Sequence, residues 1–310
     1  MTFSLRLLNL VVGLCSGTAA LPRALFDLGF RVQRIEHKIP MIQPIGTTKK
    51  EIVVPEIVIA SEAVNHSILF EVKSGKNTEA DQLERYSKVT SDDLIRESFF
   101  APAKCTHIDV AVICAEEHQE TIMIGIKDKF DFPVMATVKE GLNTILNKYK
   151  VDKTDSVFRP LKFDWNHVPT VFFPLDKDSE LWEFAEFVIP VVLEDMQKNQ
   201  SRVLAFDIAS RVIPFWNNIG PDYRKELSKA VAEVLDRAAQ RDFKKYLRKN
   251  SAAKAETGTP TWDITDNPLT GVIDKRTKGW KTLRKLQTQF LNHLRKDVLE
   301  ELMALTDSYA

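Results

Sequence analysis

The 310-residue sequence has little of what marks several common protein classes. It has three cysteines, Cys15, Cys105 and Cys114, whose odd number and wide separation argue against a disulfide framework or a cysteine metal cluster. The apolar residues 7–15 are too few to span a membrane. The chain contains no zinc-finger spacing, phosphate-binding glycine loop or internal repeat. With 44 % hydrophobic and 28 % charged residues, this composition is typical of a globular protein from a reducing cytoplasm.

Charge of either sign is also not in excess, because 43 Lys and Arg balance 43 Asp and Glu. The balance conceals an asymmetry between the two parts of the chain. Residues 1–200 contain 23 basic and 29 acidic residues, whereas residues 201–310 contain 20 basic and 14 acidic residues. Since a basic region can bind nucleic acid even within a neutral protein, the charge pattern keeps that function open.

Two short segments, residues 56–60 and 67–73, have the two-residue periodicity of side chains that is typical of β-strands. The residues between them are enough for a hairpin loop. A hairpin folded between Ala63 and Val64 places Glu56 directly opposite Glu71. Lys73 then shares a face with both acids, and the opposite face is an apolar core face made of Ile57, Ile59, Ile68, Phe70 and Val72.

The facing acids predict a metal site. Directly opposed side chains in an antiparallel pair lie about 4.5–5.5 Å apart at Cβ. Two carboxylates that close repel each other unless one takes a proton or a cation joins them, and Mg²⁺ prefers such oxygen ligands. Lys73 is placed to interact with an anion or a water molecule beside the ion. The alternative interpretation is a solvated cross-strand ion pair.

These residues resemble the pattern of the PD-(D/E)xK nuclease superfamily, which is Pro-Asp, a gap covering a β-turn, then Asp or Glu, any residue, and Lys. Here the pattern reads Pro55-Glu56 and Glu71-Val72-Lys73, with Glu56 where the family usually has Asp. The resemblance covers about the first half of the chain. It implies a Mg²⁺-dependent (or Mn²⁺-dependent) deoxyribonuclease in which Glu56, Glu71 and the Val72 carbonyl ligate the metal. Lys73 would orient the attacking water or stabilise the developing charge.

Several branches of that family carry Gln-x-x-x-Tyr on the next helix, and Gln82 and Tyr86 have this spacing. Residues four apart lie on one helix face, so both are expected to line the site. The family often has a further acid in the helix before the first strand, but no acid precedes Asp27 here. Asp27 and Glu36 are the candidates to replace it, and each is expected instead to be a surface residue. His66, His107 and His118 are instead predicted to be loop or packing residues, because none has ligand spacing to another.

The resemblance also implies the fold class, which is α/β with a restriction-endonuclease-like mixed sheet flanked by helices in residues 1–150. Apolar residues at 7, 10, 11 and 14 predict a helical stripe that could continue to residue 28, with a signal peptide as the alternative. Residues 107–114 predict a buried central strand. Helices are predicted over residues 116–129 and 139–149, with a last strand at 132–138.

Residues 151–310 are predicted to be mostly helical, including residues 181–198, 203–215 and 222–249. Residues 275–296 contain eight Lys or Arg and no acid, together with an apolar stripe that begins at Trp280 and ends at Leu294. The cations Lys278, Lys281, Arg284 and Lys285 are candidates for DNA contacts. DNA is therefore the expected partner, a protein partner or homodimer stays open, and no membrane association is expected. The alternative function is a non-catalytic nucleic-acid-binding or assembly subunit that keeps the nuclease fold.

Overall fold

A computed structural model describes residues 3–19, 21–42, 51–73, 75, 80–96, 107–126, 130, 132–145, 158–169, 172–253, 258–269, 274 and 276–307. The chain divides into two compact units. Unit 1 comprises Met1–Pro174 and Asn217–Tyr223, and unit 2 comprises Leu175–Trp216 and Arg224–Ala310. The domain boundary predicted after residue 150 lies outside the described residues. The chain is a mixed α/β protein, as its sequence predicted.

A mixed β-sheet forms the centre of unit 1. The described strands of this unit are β1 (Arg31–Ile35), β2 (Ile39–Pro40), β3 (Ile52–Val53), β4 (Ile57–Ser61), β5 (His66–Lys73), β6 (His107–Cys114), β7 (Val134–Val138), β8 (Gly141–Ile145) and β9 (Leu161–Lys162). Seven of them form one sheet in the order β1-β4-β5-β6-β7-β8-β9, and β2 pairs separately with β3. β6 runs parallel to both of its neighbours, and the other neighbours in the sheet are antiparallel.

Helices cover both faces of this sheet. The described helices of unit 1 are α1 (Phe3–Ser16), α2 (Ala24–Asp27), α3 (Ala80–Ser87), α4 (Ser91–Arg96) and α5 (Gln119–Ile126). On one face, Val11 and Leu14 of α1 line a small apolar cavity with Phe70 and Ile113. On the other, Leu83 of α3 and residues of α5 join one buried cluster with strand residues that include Leu69 and Val112. Strands buried on both faces explain the near-continuous apolar runs of β4 and β6.

Helix α1 is held in the core by a buried amide. Asn9 is fully buried, and its Nδ2 donates hydrogen bonds to the carbonyl oxygens of Leu5 at 2.9 Å and Phe173 at 2.7 Å. Its Oδ1 accepts a hydrogen bond of 2.8 Å from the Phe173 amide. The polar residue that interrupts this apolar run is therefore satisfied by hydrogen bonds to the backbone. The apolar stripe predicted on α1 is confirmed as buried, but the helix ends at Ser16 and Gly17 follows at φ +68°.

One predicted helix was wrong, and another was predicted too long. Residues 139–149 were expected to be helical, but residues 141–145 form β8, which returns antiparallel to β7. Gly141 lies so close to the next strand that a Cβ there would be 1.8 Å from the Leu161 carbonyl oxygen. The spacing of Leu142 and Ile145 fits a helix equally well, so tertiary pairing decided the outcome. The helix predicted over 222–249 ends at Gln240, and residues 247–249 form a strand.

Unit 2 is mostly helical. Its elements are α6 (Leu181–Gln197), β10 (Arg202–Leu204), α7 (Ala205–Val212), α8 (Pro221–Gln240, most of which belongs to this unit), β11 (Leu247–Lys249), β12 (Thr261–Ile264) and α9 (Lys278–Asp307). A capping box formed by Glu180 and Glu183 begins α6, and Pro190 lies inside that helix. The three strands form an antiparallel sheet in the order β10-β12-β11. Across the described parts of both units, no helix combines the length and apolarity that a membrane crossing requires.

Candidate functional site

The β4–β5 hairpin has the register that the sequence predicted. Ile57 pairs with Phe70, so the next positions along the two strands, Glu56 and Glu71, lie opposite each other. Asn65 ends the intervening loop at φ +51°, a left-handed conformation that asparagine tolerates better than most residues. The face that carries Glu56, Glu71 and Lys73 is called the acid face here. It is not an open surface, because Leu69 on the same face is fully buried.

Glu56 and Glu71 form a close carboxyl pair at the edge of this buried face. Glu71 is 2 % exposed, and its carboxyl group lies within hydrogen-bonding distance of Glu56. Burial raises the pKa of Glu56 well above its usual value, and the charge of Glu71 and the hydrogen bond to it raise that pKa further. Such a pair is stable with a proton or a cation between the two groups, and oxygen ligands in this arrangement fit a hard divalent ion.

The backbone of Val72 contributes to the same place. Its amide donates a hydrogen bond of 2.9 Å to Oε2 of Glu56, a contact that lowers the pKa of Glu56. In an extended strand the N–H and C=O of one residue point to the same side. The Val72 carbonyl oxygen is therefore directed towards the side of β5 on which Glu56 lies.

Lys73 joins the acid pair to helix α3. Its Nζ lies 2.7 Å from Oε1 of Glu71 and donates a hydrogen bond of 2.8 Å to Oε1 of Gln82. The side chain of Lys73 is 12 % exposed, so this ion pair is screened less than a surface pair would be. The interpretation of Glu71 and Lys73 as a solvated surface pair is therefore wrong.

Tyr86 completes the hydrogen-bond network around Glu71. Its hydroxyl group lies 2.8 Å from Oε2 of Glu71 and 2.7 Å from the Val54 carbonyl oxygen, and it accepts a hydrogen bond of 3.1 Å from Nε2 of Gln82. Burial raises the pKa of Tyr86, and the charges of Glu71 and Glu56 add to that effect, so the hydroxyl stays protonated. The structure thus brings together all five side chains predicted for the site, since Gln82 and Tyr86 share the helix face that points to the hairpin.

A third acid, Glu36, lies next to the pair. It follows β1 directly at φ +47°, and its amide donates a hydrogen bond of 3.0 Å to the Glu56 carbonyl oxygen. The charge of Glu36 also contributes to the raised pKa of Glu56. Asp27, the other candidate for an N-terminal acid, pairs instead with Arg23 on the exposed surface of α2. Sequence spacing could not separate these two acids, because the position of Glu36 depends on the pairing of β1 with β4.

The predicted nucleic-acid contacts lie on α9 in unit 2. Trp280, Leu283, Phe290 and Leu294 are buried, as the apolar stripe predicted. All four candidate cations are exposed on the remaining surface of the helix, namely Lys278, Lys281, Arg284 and Lys285. The guanidinium of Arg284 also lies 5.9 Å from the centre of the Trp280 ring.

The sequence analysis missed a second group of side chains that could hold a metal ion. His66 and His107, predicted to be loop or packing residues, meet Asp109 where β5 and β6 begin. Histidine spacing along the chain carries no signal for this group, because parallel pairing brings together residues 41 positions apart. His118 does not join it and lies 3.7 Å from Glu117.

Unit 1 is thus defined by a mixed sheet, covered on both faces, with a carboxyl pair and a lysine at the edge of one face. A family model, the MJECL32 domain, matches residues 4–173. Because this match covers more than half of the chain, the protein belongs to the MJECL32 domain family. No curated protein and no solved structure matches the chain.

Proposed function

We propose that unit 1 is a nuclease of the PD-(D/E)xK type that hydrolyses phosphodiester bonds in DNA with Mg²⁺ or Mn²⁺. The observation that carries the proposal is the facing pair Glu56–Glu71, in which Glu71 is buried, Glu56 is half-buried and the pKa of Glu56 is raised. A structural role alone does not require two facing acids, since a buried acid pair costs stability unless a cation or a proton lies between them. The charge of Glu36 also acts on Glu56 and raises its pKa further.

The residues around the pair have distinct roles in this proposal. A bound metal would supply positive charge and an acidified water molecule for attack on phosphorus. Glu56 and Glu71 would hold the ion with the Val72 carbonyl. Lys73 uses two of its three N–H donors on Glu71 and Gln82, and the third would donate to the attacking water or a phosphate oxygen.

Gln82 and Tyr86 are positioning residues in this proposal. Gln82 orients the Lys73 ammonium group, and Tyr86 fixes the rotamer of Glu71. In the overall reaction the water oxygen bonds to phosphorus, one P–O ester bond breaks, and the leaving oxygen takes a proton. A phosphodiester thus becomes a phosphomonoester and an alcohol.

A cleavage assay on plasmid, linear and branched DNA tests the proposal. We expect cleavage by the full chain with Mg²⁺ or Mn²⁺ and loss of cleavage in Glu71→Gln. Glu84→Gln is the matched control, because Glu84 is an exposed acid on α3 that pairs with Lys88. Equal cleavage by Glu71→Gln and the wild type would overturn the assignment, provided circular dichroism shows that the variant is folded.

A non-catalytic nucleic-acid-binding or assembly subunit is the second candidate. It is favoured by one observation, which is that both carboxylate oxygens of Glu71 already have partners, Lys73 and Tyr86. A site satisfied in this way can persist after its activity is lost. Calorimetric titration with Mn²⁺ separates the two functions, because a nuclease site binds the ion in a Glu71-dependent manner and a relic does not.

A further inference from the structure

The start of β5 and β6 carries a compact group of potential metal ligands that the nuclease proposal does not use. His66 of β5 pairs in register with His107 of β6. Side chains alternate along a strand, so these two residues and Asp109 lie on one face of the sheet. That face is the one covered by α1, opposite the acid face. His66 is also five residues from Glu71, which corresponds to about 16 Å along the strand.

The ligand atoms are already close to the spacing that a metal ion would impose. Nε2 of His66 lies 2.6 Å from Oδ2 of Asp109, and Nε2 of His107 lies 3.3 Å from the same oxygen. One ligand atom from each of the three residues can be chosen so that all lie within 4.8 Å of one another. With metal–nitrogen distances of about 2.0–2.1 Å, tetrahedral ligand atoms lie roughly 3.3 Å apart. Small side-chain movements would therefore suffice for coordination.

Two of the three residues, His66 and Asp109, are buried, and the third, His107, is exposed to solvent. His66 is 4 % and Asp109 is 7 % exposed, and the Phe30 ring packs edge-on against His66 with ring centres 5.5 Å apart. The His107 side chain is 53 % exposed. Two imidazoles and one carboxylate with an open position match the ligand set of catalytic zinc sites, in which water or an external ligand takes the fourth position.

We propose that His66, His107 and Asp109 bind one divalent transition-metal ion of the Zn²⁺ class, at a site separate from Glu56 and Glu71. Imidazole nitrogen selects Zn²⁺, Co²⁺ or Ni²⁺ over Mg²⁺, whereas the all-oxygen acid pair has the opposite preference. The ion cross-links the first residues of two parallel strands. This site does not depend on the nuclease proposal, because it shares no residue with the acid pair.

Cobalt titration of the full chain, freed of affinity tags and stripped with a chelator, tests the proposal. Tetrahedral Co²⁺ bound by histidine gives visible absorption bands, and Zn²⁺ should displace it at one equivalent. His107→Ala removes an exposed ligand and should leave the fold intact. The affinity for Co²⁺ should fall about 100-fold or more, because loss of a residue that only supports a metal ligand already lowers metal affinity about 10–100-fold. His293→Ala is the matched control, because His293 is also exposed and lies 3.1 Å from a carboxylate, that of Asp242.

The outcomes separate a metal site from a hydrogen-bonded cluster. Asp109→Asn keeps a hydrogen-bonding side chain but loses the anionic ligand, so it too should weaken Co²⁺ binding. Glu84→Gln, at an exposed acid outside both groups, should leave the tetrahedral Co²⁺ spectrum unchanged, and failure of DNA cleavage would not affect this result. The proposal is overturned if the wild type gives no tetrahedral Co²⁺ spectrum, or if His107→Ala binds Co²⁺ as tightly as His293→Ala.

Discussion

The hydroxyl group of Tyr86 lies 2.8 Å from Oε2 of Glu71, although the two residues are 15 positions apart and belong to a helix and a strand. The same hydroxyl lies 2.7 Å from the carbonyl oxygen of Val54. A single phenolic proton serves both acceptors, and Gln82 donates to the phenolic oxygen from the neighbouring helical turn. The Tyr86 hydroxyl therefore holds α3 against the β4–β5 hairpin and sets the rotamer of Glu71.

Removing this hydroxyl should affect both stability and function. Tyr86→Phe keeps the buried ring but leaves Glu71 and Val54 each with one fewer donor, which should lower the free energy of unfolding by about 1–3 kcal/mol. Urea unfolding measures the loss. Mn²⁺ affinity should also fall, because Glu71 is less well oriented. A variant with unchanged stability and Mn²⁺ affinity would show that Tyr86 acts through packing alone.

Lys73 should be required for cleavage but not for metal binding. Lys73→Met keeps most of the side-chain length and removes the charge, so we expect cleavage to fall about 10²–10³-fold, as for loss of one donor that stabilises a transition state. Mn²⁺ affinity should stay equal or rise, because Glu71 loses a competing cation. Nuclease assays and Mn²⁺ titration check this, with Lys88→Met as the control since Lys88 is an exposed lysine of the same region. Parallel loss of cleavage and metal binding would contradict the assigned role.

Stability should fall as pH rises, because the pKa of Glu56 is raised in the folded state by burial and by Glu71. Above the usual value of 4.5, the unfolded chain releases this proton while the folded chain keeps it. The folded state then binds more protons than the unfolded state, so the contribution of Glu56 to the free energy of unfolding decreases with pH. Glu56→Gln should flatten this part of the pH profile, whereas Glu62→Gln, at an exposed loop position, should not. Urea unfolding of the three proteins at several pH values above 4.5 provides the comparison, and identical profiles would refute the prediction.

Asn9 should be one of the costlier polar residues to replace. Asn9→Leu keeps the approximate volume but leaves the buried amide and carbonyl of Phe173 without the partners they have now. We expect the free energy of unfolding to drop by roughly 1.5–4.5 kcal/mol, since three hydrogen bonds are lost and each contributes about 0.5–1.5 kcal/mol. Thermal and urea unfolding measure the change. A more stable variant would mean that the apolar surroundings outweigh these hydrogen bonds.

The four cations of α9 predict a salt-dependent DNA affinity. If each neutralises one phosphate on a duplex, log affinity should fall with log salt with a slope of about −3.6. Replacing all four by Ala should flatten the slope and weaken binding to every sequence alike. The control removes four other exposed cations of unit 2, Lys225, Lys229, Lys244 and Lys245. Equal effects of the two variants would indicate general charge attraction, and no effect of either would support a protein partner for this helix.

The sequence was most informative where the structure is local. The β4–β5 hairpin register follows from the alternation of Ile57, Ile59, Ile68 and Phe70 around a short loop. The pairing of Glu56 with Glu71 could therefore be predicted from residues that are close in the sequence. The Gln82–Tyr86 spacing likewise reports a single helix face. In contrast, β8 was predicted as a helix because its apolar spacing fits both structures and its partners, β7 and β9, decide between them. The His66–His107 pair depends on a parallel crossover, which no local pattern encodes.

Strand β5 carries a proposed metal ligand near each end and on opposite faces, with His66 at its first residue and Glu71 near its last. Substitutions among its apolar residues would leave these positions unchanged. A one-residue insertion or deletion between Ser67 and Phe70 would rotate one end by half a turn relative to the other, because side chains alternate along a strand. Either Glu71 would then face α1 or His66 would face α3. Engineered variants should therefore tolerate exchanges among apolar residues of similar volume in β5 better than a change in its length.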